Sequence, residues 1–238
     1  MRAIRISFIQ MLVQMRKDFM LFVMPVIPFL AGVLFRFAVP FAERKLTGYF
    51  SVPGIIAPYY PLIDAALTLM TPVLIQFTAA LIMLEEADDG IIRYLSVTPL
   101  GKKGYVISRL VIPTACTIPL NLLVSALFHI EGFGPLNTIL LCTAGSIYGC
   151  VIALMIVTLS SNRVEGMAVG KMTSLLTIGL AAPFFIHSPA QYLFAVTPAF
   201  WVAKFVLEGH MIDLIVCVLI SAIWAAALFR RYIRKNIQ

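Results

Sequence analysis

Residues 137–160, NTILLCTAGSIYGCVIALMIVTLS, contain no acidic or basic side chain. At a rise of about 1.5 Å per residue, a helix of this length crosses the roughly 30 Å hydrocarbon layer of a bilayer. Five other stretches are apolar over comparable lengths, so spans are predicted at about 19–38, 63–84, 106–128, 137–160, 167–187 and 212–230. Backbone amides have no water to bond in lipid, which leaves helices or a closed barrel. None of the six has the alternating pattern of barrel strands, so all are read as helices. The chain is 61% hydrophobic and only 12% charged, about half the charge share of a soluble domain. The expectation is an all-α membrane protein, a single transmembrane domain over 1–238 with no room for a separate soluble catalytic domain.

The basic residues orient it. With both termini on the cytoplasmic side, that side holds Arg2, Arg5, Arg16, Lys17, Arg93, Lys102, Lys103, Arg109, Arg163, Lys171, Arg230, Arg231, Arg234 and Lys235. Only Arg36, Arg44, Lys45 and Lys204 remain outside. This asymmetry assigns the net charge of +7 to topology in the cell membrane, with the lipid bilayer as partner and no nucleic acid.

Between the spans, composition predicts local behaviour. Residues 1–17 place Ile4, Phe8, Met11, Leu12 and Met15 on one helical face, which reads as an interfacial helix rather than a signal peptide. Residues 39–61 hold four prolines and two glycines and are expected to break regular structure. Residues 188–211 are too apolar for a solvated loop. Short re-entrant or interfacial helices are expected there, with Tyr192, Phe200 and Trp201 at headgroup depth. The four cysteines lie in apolar runs without metal or disulfide spacing.

The densest charge falls between the second and third spans, in EEADDGIIRYLSVTPLGKKGYVISRL at 85–110. Glu85, Glu86, Asp88 and Asp89 lack the spaced ligand pattern of a calcium loop. A solvated loop remains an alternative. The favoured reading is a short docking helix, with Asp88 or Asp89 capping it and complementing the positive end of its dipole. Ile91, Ile92, Leu95 and Val97 supply its apolar face, and Asp89 pairs with Arg93 four residues on. Pro99 ends it.

Catalytic signals are missing. The sequence has no HExxH, GxSxG or GxxxxGK[ST], and His129, His187 and His210 lie far apart. No metal site and no bound cofactor are expected of this chain. Two Gly-x-x-x-Gly pairs, Gly145/Gly149 and Gly166/Gly170, read as close packing within one subunit, with a dimer seam as the alternative. Pro72, Pro113, Pro119 and Pro183 are positioned to kink spans. Asp64, Lys171 and Asp213 sit near span ends, where snorkelling is expected to relieve their charge. A buried carboxylate relay of the proton-driven kind is not visible, which favours an external energy source.

In these features the chain resembles the permease subunits of ABC-2 type (type V) exporters, over essentially its whole length. The resemblance rests on the 85–110 region, the inner loop SNRVEGMAVGKM at 160–172, TPAFW at 197–201 and the basic leading helix. It implies six membrane helices, paired with a second permease copy or a sister permease, and cytoplasmic ABC ATPase subunits that bind ATP and magnesium. Residues 86–98 would be the coupling helix, with Glu85, Glu86, Asp88, Asp89, Gly90, Ile91, Ile92, Arg93 and Leu95 at the contact. Asn162 and Glu165 of the second inner loop would add a lesser one. The second and fifth helices would line the route, with Gln76, Phe77, Thr173, Thr177 and Phe184 as path residues. The function so implied is export of a small amphiphilic compound, drug, lipid or peptide. A membrane enzyme acting on lipids, or a non-transporting sensor or immunity protein, are the alternatives.

Overall fold

The computed structural model describes residues 2–92, 94 and 98–236, and their regular structure is all helical. Helix α1 (Arg2–Lys17) passes through Asp18 into the short α2 (Phe19–Val23) and then α3 (Ile27–Phe50). Helix α4 covers Tyr60–Asp88. Helix α5 (Gly101–Val106) widens into one π-helical turn, Ile107–Val111, before α6 (Ile112–Phe128). Helices α7 (Pro135–Leu159) and α8 (Arg163–Ser174) follow. The chain then tightens into a 3₁₀ stretch, Leu175–Leu180, and the single turn α9 (Ala182–Phe185). A second 3₁₀ stretch, Pro189–Val196, precedes α10 (Pro198–Glu208) and α11 (Met211–Asn236).

Helices α4 and α7 form the centre, and glycine is what lets them meet. A Cβ on Gly149 would lie 2.9 Å from the Pro72 carbonyl carbon and oxygen, and one on Gly145 3.2 Å from the Thr68 carbonyl oxygen. Gly166 and Gly170 likewise face the Leu84 and Phe77 side chains of α4. Both glycine pairs therefore serve packing within the protomer, through dispersion at backbone distance. The shared core draws Ala65 and Ala80 from α4, Tyr148 and Ile152 from α7, Ala203 from α10 and Cys217 from α11. Helix α1 lays Phe8, Met11 and Met15 against Leu21, Leu81 and Ile82, so its apolar face is partly spent on the protein itself. Leu12, assigned to the same face, stays exposed.

The predicted span at 167–187 is not a continuous helix. Among the described residues five stretches are long and apolar enough to cross a membrane: Phe19–Phe50, Ala57–Asp88, Lys103–Phe128, Pro135–Leu159 and Met211–Arg234. Regular α-helix ends at Ser174 instead of crossing. Gly179 presses so closely on Thr197 that a Cβ there would overlap its hydroxyl, and Pro183 contributes no amide. The interrupted segment nevertheless runs the length of α4. It begins where Asp88 accepts the Arg163 amide at 3.0 Å and ends where Phe185 stacks on Tyr59 at 5.2 Å.

Two carboxylates explain further departures. The break expected at 39–61 comes late, because α3 runs through Pro40 to Phe50. Glu43 then gathers the returning chain, accepting the Ile55 and Ile56 amides at 2.8 and 2.6 Å. Asp64 does not snorkel. It is buried, and its carboxylate accepts the amides of Ile130, Glu131 and Gly132 at 2.9, 3.1 and 3.0 Å. Three charge-assisted bonds replace water and pin the α6–α7 turn to α4. Short helices do fill 189–208, but Phe200 is core, edge-on to Trp201 at 5.4 Å, rather than a headgroup residue.

Candidate functional site

The acidic stretch at the end of α4 divides into groups with different partners. Glu85 and Glu86 belong to the last turns of α4, Asp88 ends it, and the Asp89 amide donates to the Glu85 carbonyl at 2.9 Å. The docking helix that Asp88 or Asp89 is expected to cap includes residues outside those described. Gly90, in the left-handed region at φ 68°, stops α4, and glycine adopts that conformation without a Cβ penalty. The Asp88 carboxylate receives the first amide of α8, from Arg163. Asn162 is the N-cap of α8, its Oδ1 accepting the Glu165 amide at 2.8 Å. Glu165 reaches back to accept the Ser161 amide at 2.6 Å, a reciprocal capping arrangement.

Beyond Gly90 the chain is helical again at Ile91, Ile92 and Tyr94. Ile91 and Tyr94 are exposed, whereas Ile92 packs partly against the core. Arg93, Leu95 and Val97, and with them the expected Asp89–Arg93 pair, lie outside the described residues.

Arg163 ties this region together. Its guanidinium pairs with Asp18 and, at 3.2 Å, with Glu85. Asp18 also caps α2, its Oδ1 accepting the Met20 amide at 2.9 Å. The α1–α2 junction, the end of α4 and the start of α8 thus share one cation. The Arg163 hydrogen bond holds the Asp18 carboxyl below its ordinary 3.8, against a smaller opposing effect of burial. A depressed carboxylate stabilises the fold above its unfolded value, and that contribution fades as pH falls through the lower folded value. Asp18→Asn is therefore expected to lower the unfolding midpoint at pH 7, by less than about 1 kcal/mol for a partly exposed pair, and the difference is expected to shrink as pH falls through the folded value. Thermal unfolding of both proteins across that range measures it.

Glu86 turns inward and is buried. Arg109 grips it with two bonds, Nε to Oε2 at 2.9 Å and Nη2 to Oε1 at 2.5 Å, while the Tyr105 hydroxyl donates to Oε2 at 2.9 Å. Arg109 Nη1 donates to the Ser7 carbonyl of α1 at 2.6 Å. The Ser7 and Ser108 hydroxyls share a bond of 3.1 Å. Arg109 sits in the π-helical turn, so the network joins that turn, α1 and α4 at one buried point. This geometry places Glu86 inside the protein, not on the surface expected for it. From the sequence, Arg109 stands out only as an inner-side charge, and Ser7, Tyr105, Asp18 and Arg163 do not stand out as organisers at all. One signal was available: Asp18 is the only acid before Glu43.

The five path residues fall on α4, α8 and the chain after α8, and their contacts divide them: Gln76 faces the π-helical turn and α6, whereas Phe77 faces α8. Gln76 is buried, donating to Thr114 at 2.5 Å, with its Oε1 unpartnered among the described residues. Phe77 covers Gly170, and Thr173 and Phe184 are buried. Thr177 bonds the Tyr148 hydroxyl at 3.3 Å. None lines either of two sizeable cavities, about 400 Å³ beside Asp64 and His129 and about 790 Å³ between α5, α7 and α11. At the opposite end, Glu208, His210 and Asp213 cluster with ligand atoms within 4.8 Å of one another, and Glu208 pairs with Lys204 at 3.3 Å.

The fluoroquinolones export permease proteins MT2760 and Rv2686c, from Mycobacterium tuberculosis strains CDC 1551 / Oshkosh and ATCC 25618 / H37Rv, are each 27% identical over 154 residues. Those matches cover 61% of this chain and 59% of the relatives, less than two thirds of their length. No solved structure matches. A family model described as fluoroquinolones export permease protein Rv2686c-like matches residues 11–232, and the chain belongs to that family of membrane permeases.

Proposed function

We propose that this chain is the membrane subunit of an ATP-driven exporter, carrying an amphiphilic compound out of the cytoplasm with energy from a separate ABC ATPase. The observation that carries the reading is the exposed pair Ile91 and Tyr94, which follow an α4 end that Arg163 and Arg109 brace through Glu85 and Glu86. An apolar knob on a braced base suits a groove on a soluble motor, and the sequence has no phosphate-binding loop of its own. Family membership supports the transport role, and the relatives' names point to fluoroquinolones as one substrate class.

In this reading both termini are cytoplasmic, and the interrupted 163–185 segment makes the sixth crossing beside α4. The exposed Met172, Leu175 and Ile178 offer a seam for a second permease copy. ATP closes the motors and displaces the 91–98 region. The braced helix ends carry that displacement to α1, α4 and α8. Only contacts that differ between inward- and outward-facing states convert it into transport. Phe77, which covers Gly170, is then the α4 group that changes surroundings when α4 and α8 separate, while Gln76 keeps its bond to Thr114 of α6.

The test is co-purification in mild detergent. Ile91→Asp with Tyr94→Asp is expected to abolish recovery of the ATPase while membrane insertion and the unfolding midpoint stay unchanged. Leu193→Ser, exposed at the other end, is expected to retain it. Undiminished ATPase binding by the double variant would sink the docking assignment.

A further inference from the structure

The cavity of about 790 Å³ is a groove open to the side of the bundle, walled by Leu110 of the π-helical turn, Leu154 of α7, and Ala226, Phe229 and Ile233 of α11. All its walls belong to stretches long and apolar enough to cross a membrane. Apart from Lys103, its lining is made of apolar side chains and Cys150. Its length, read from Lys103 to Val111, is about 12 Å, close to the roughly 15 Å hydrocarbon depth of one leaflet. Leu110 and Leu154 form its buried floor, while the side chains at its rim stay open: Val111 is 54% exposed, Phe229 37% and Ile233 36%.

Charge marks one end. Lys103 stands at the mouth, and Arg230 and Arg234 follow Phe229 and Ile233 on α11, all three exposed. Among the described residues none of the three is paired with a carboxylate. This is the end of the molecule richest in basic residues, where anionic headgroups of the facing leaflet are attracted most. A wall with almost no hydrogen-bonding group orients no polar solute, but it accepts a hydrocarbon chain, and the basic mouth then selects the headgroup. We propose that this groove holds one acyl chain of an anionic phospholipid, with its phosphate at Lys103. The site is separate from the 91–94 turn and from the α4–α8 path residues, so it stands whether or not the transport reading does.

Native mass spectrometry of the purified chain, released from micelles with phosphatidylglycerol or phosphatidylcholine of matched acyl chains, tests it. The wild type is expected to retain phosphatidylglycerol about fivefold better, and Lys103→Ala to erase that preference. Ala226→Trp fills the groove and is expected to lose both adducts. Ile223→Trp, on the same helix but outside the lining, is expected to keep them. If the tryptophan at 226 prevents accumulation of the protein, Ala226→Leu gives the same reading with a smaller side chain. Equal retention of the two lipids by the wild type would overturn the proposal, as would undiminished adducts in the filled variants. Displacement of phosphatidylglycerol by excess inorganic phosphate would reduce the site to a headgroup contact and overturn it too. A wild-type dimer that Ala226→Trp dissociates, with lipid retention unchanged, would assign the groove to a second copy instead.

Discussion

Arg109→Ala is expected to cost about 3–5 kcal/mol of fold stability, because it breaks a buried ion pair from one side only. The guanidinium is 2% exposed and holds Glu86, also buried, through two parallel bonds. Removing it strands a carboxylate whose remaining partner is the Tyr105 hydroxyl. It also frees the Ser7 carbonyl, so α1 loses one of its polar links to the π-helical turn and keeps the Ser7–Ser108 hydroxyl bond. Arg109→Lys keeps the charge but cannot reproduce the fork, and is expected to recover only part of the loss. Glu86→Leu combined with Arg109→Leu removes both charges together and is expected to be less damaging than either single truncation. Unfolding midpoints in detergent measure these variants against the wild type. A double variant no better than the singles would mean that the pair itself, rather than the avoidance of a stranded charge, stabilises this end of the bundle.

Gly149→Val is expected to destabilise the protein by about 3 kcal/mol, at the upper end of what overpacking costs. Its Cβ would meet the carbonyl group of Pro72 at 2.9 Å, and that partner is main chain. A flexible side chain could turn aside; the backbone of α4 has to translate. Both helices are the most buried of the candidate spans, so the displacement spreads to α8 and α10, which pack on the same core. Gly48→Val, where nothing lies within 4 Å of the new Cβ, is expected to stay near wild type. The comparison of unfolding midpoints and of recovery from membranes separates close approach from the general cost of replacing glycine in a helix. Equal losses at the two positions would refute the role given to helix contact.

Much of this arrangement was legible in the chain. The uncharged run at 137–160 is α7, and the 63–84 and 106–128 runs lie within helices long enough to cross a membrane. Glycine pairs four residues apart foretold which faces of α7 and α8 approach a neighbour. The 85–110 stretch was recognisable as the place where the chain leaves the apolar layer. What periodicity and composition left open was which charges would find one another. Asp64 reads as an end-of-span acid until the α6–α7 turn delivers three amides to it. Glu86 reads like Glu85 and Asp88, yet a rotation of about 100° per residue on α4 turns it from the surface to Arg109. The broken course of 163–185 was hidden as well, because its hydropathy suits a span while Gly179 and Pro183 answer to contacts elsewhere.

Solvent preference was thus determined by the sequence alone: a chain with this little charge has to place its helices in lipid, since it lacks the polar surface to cover them in water. Tertiary structure decided the fate of each charge it does carry. A carboxylate in an apolar segment is tolerable only beside a donor, and the donors for Glu86, Asp64 and Asp18 come from 23, 66 and 145 positions away in the chain. No local pattern encodes such distances. They appear only when packing brings the helix ends together.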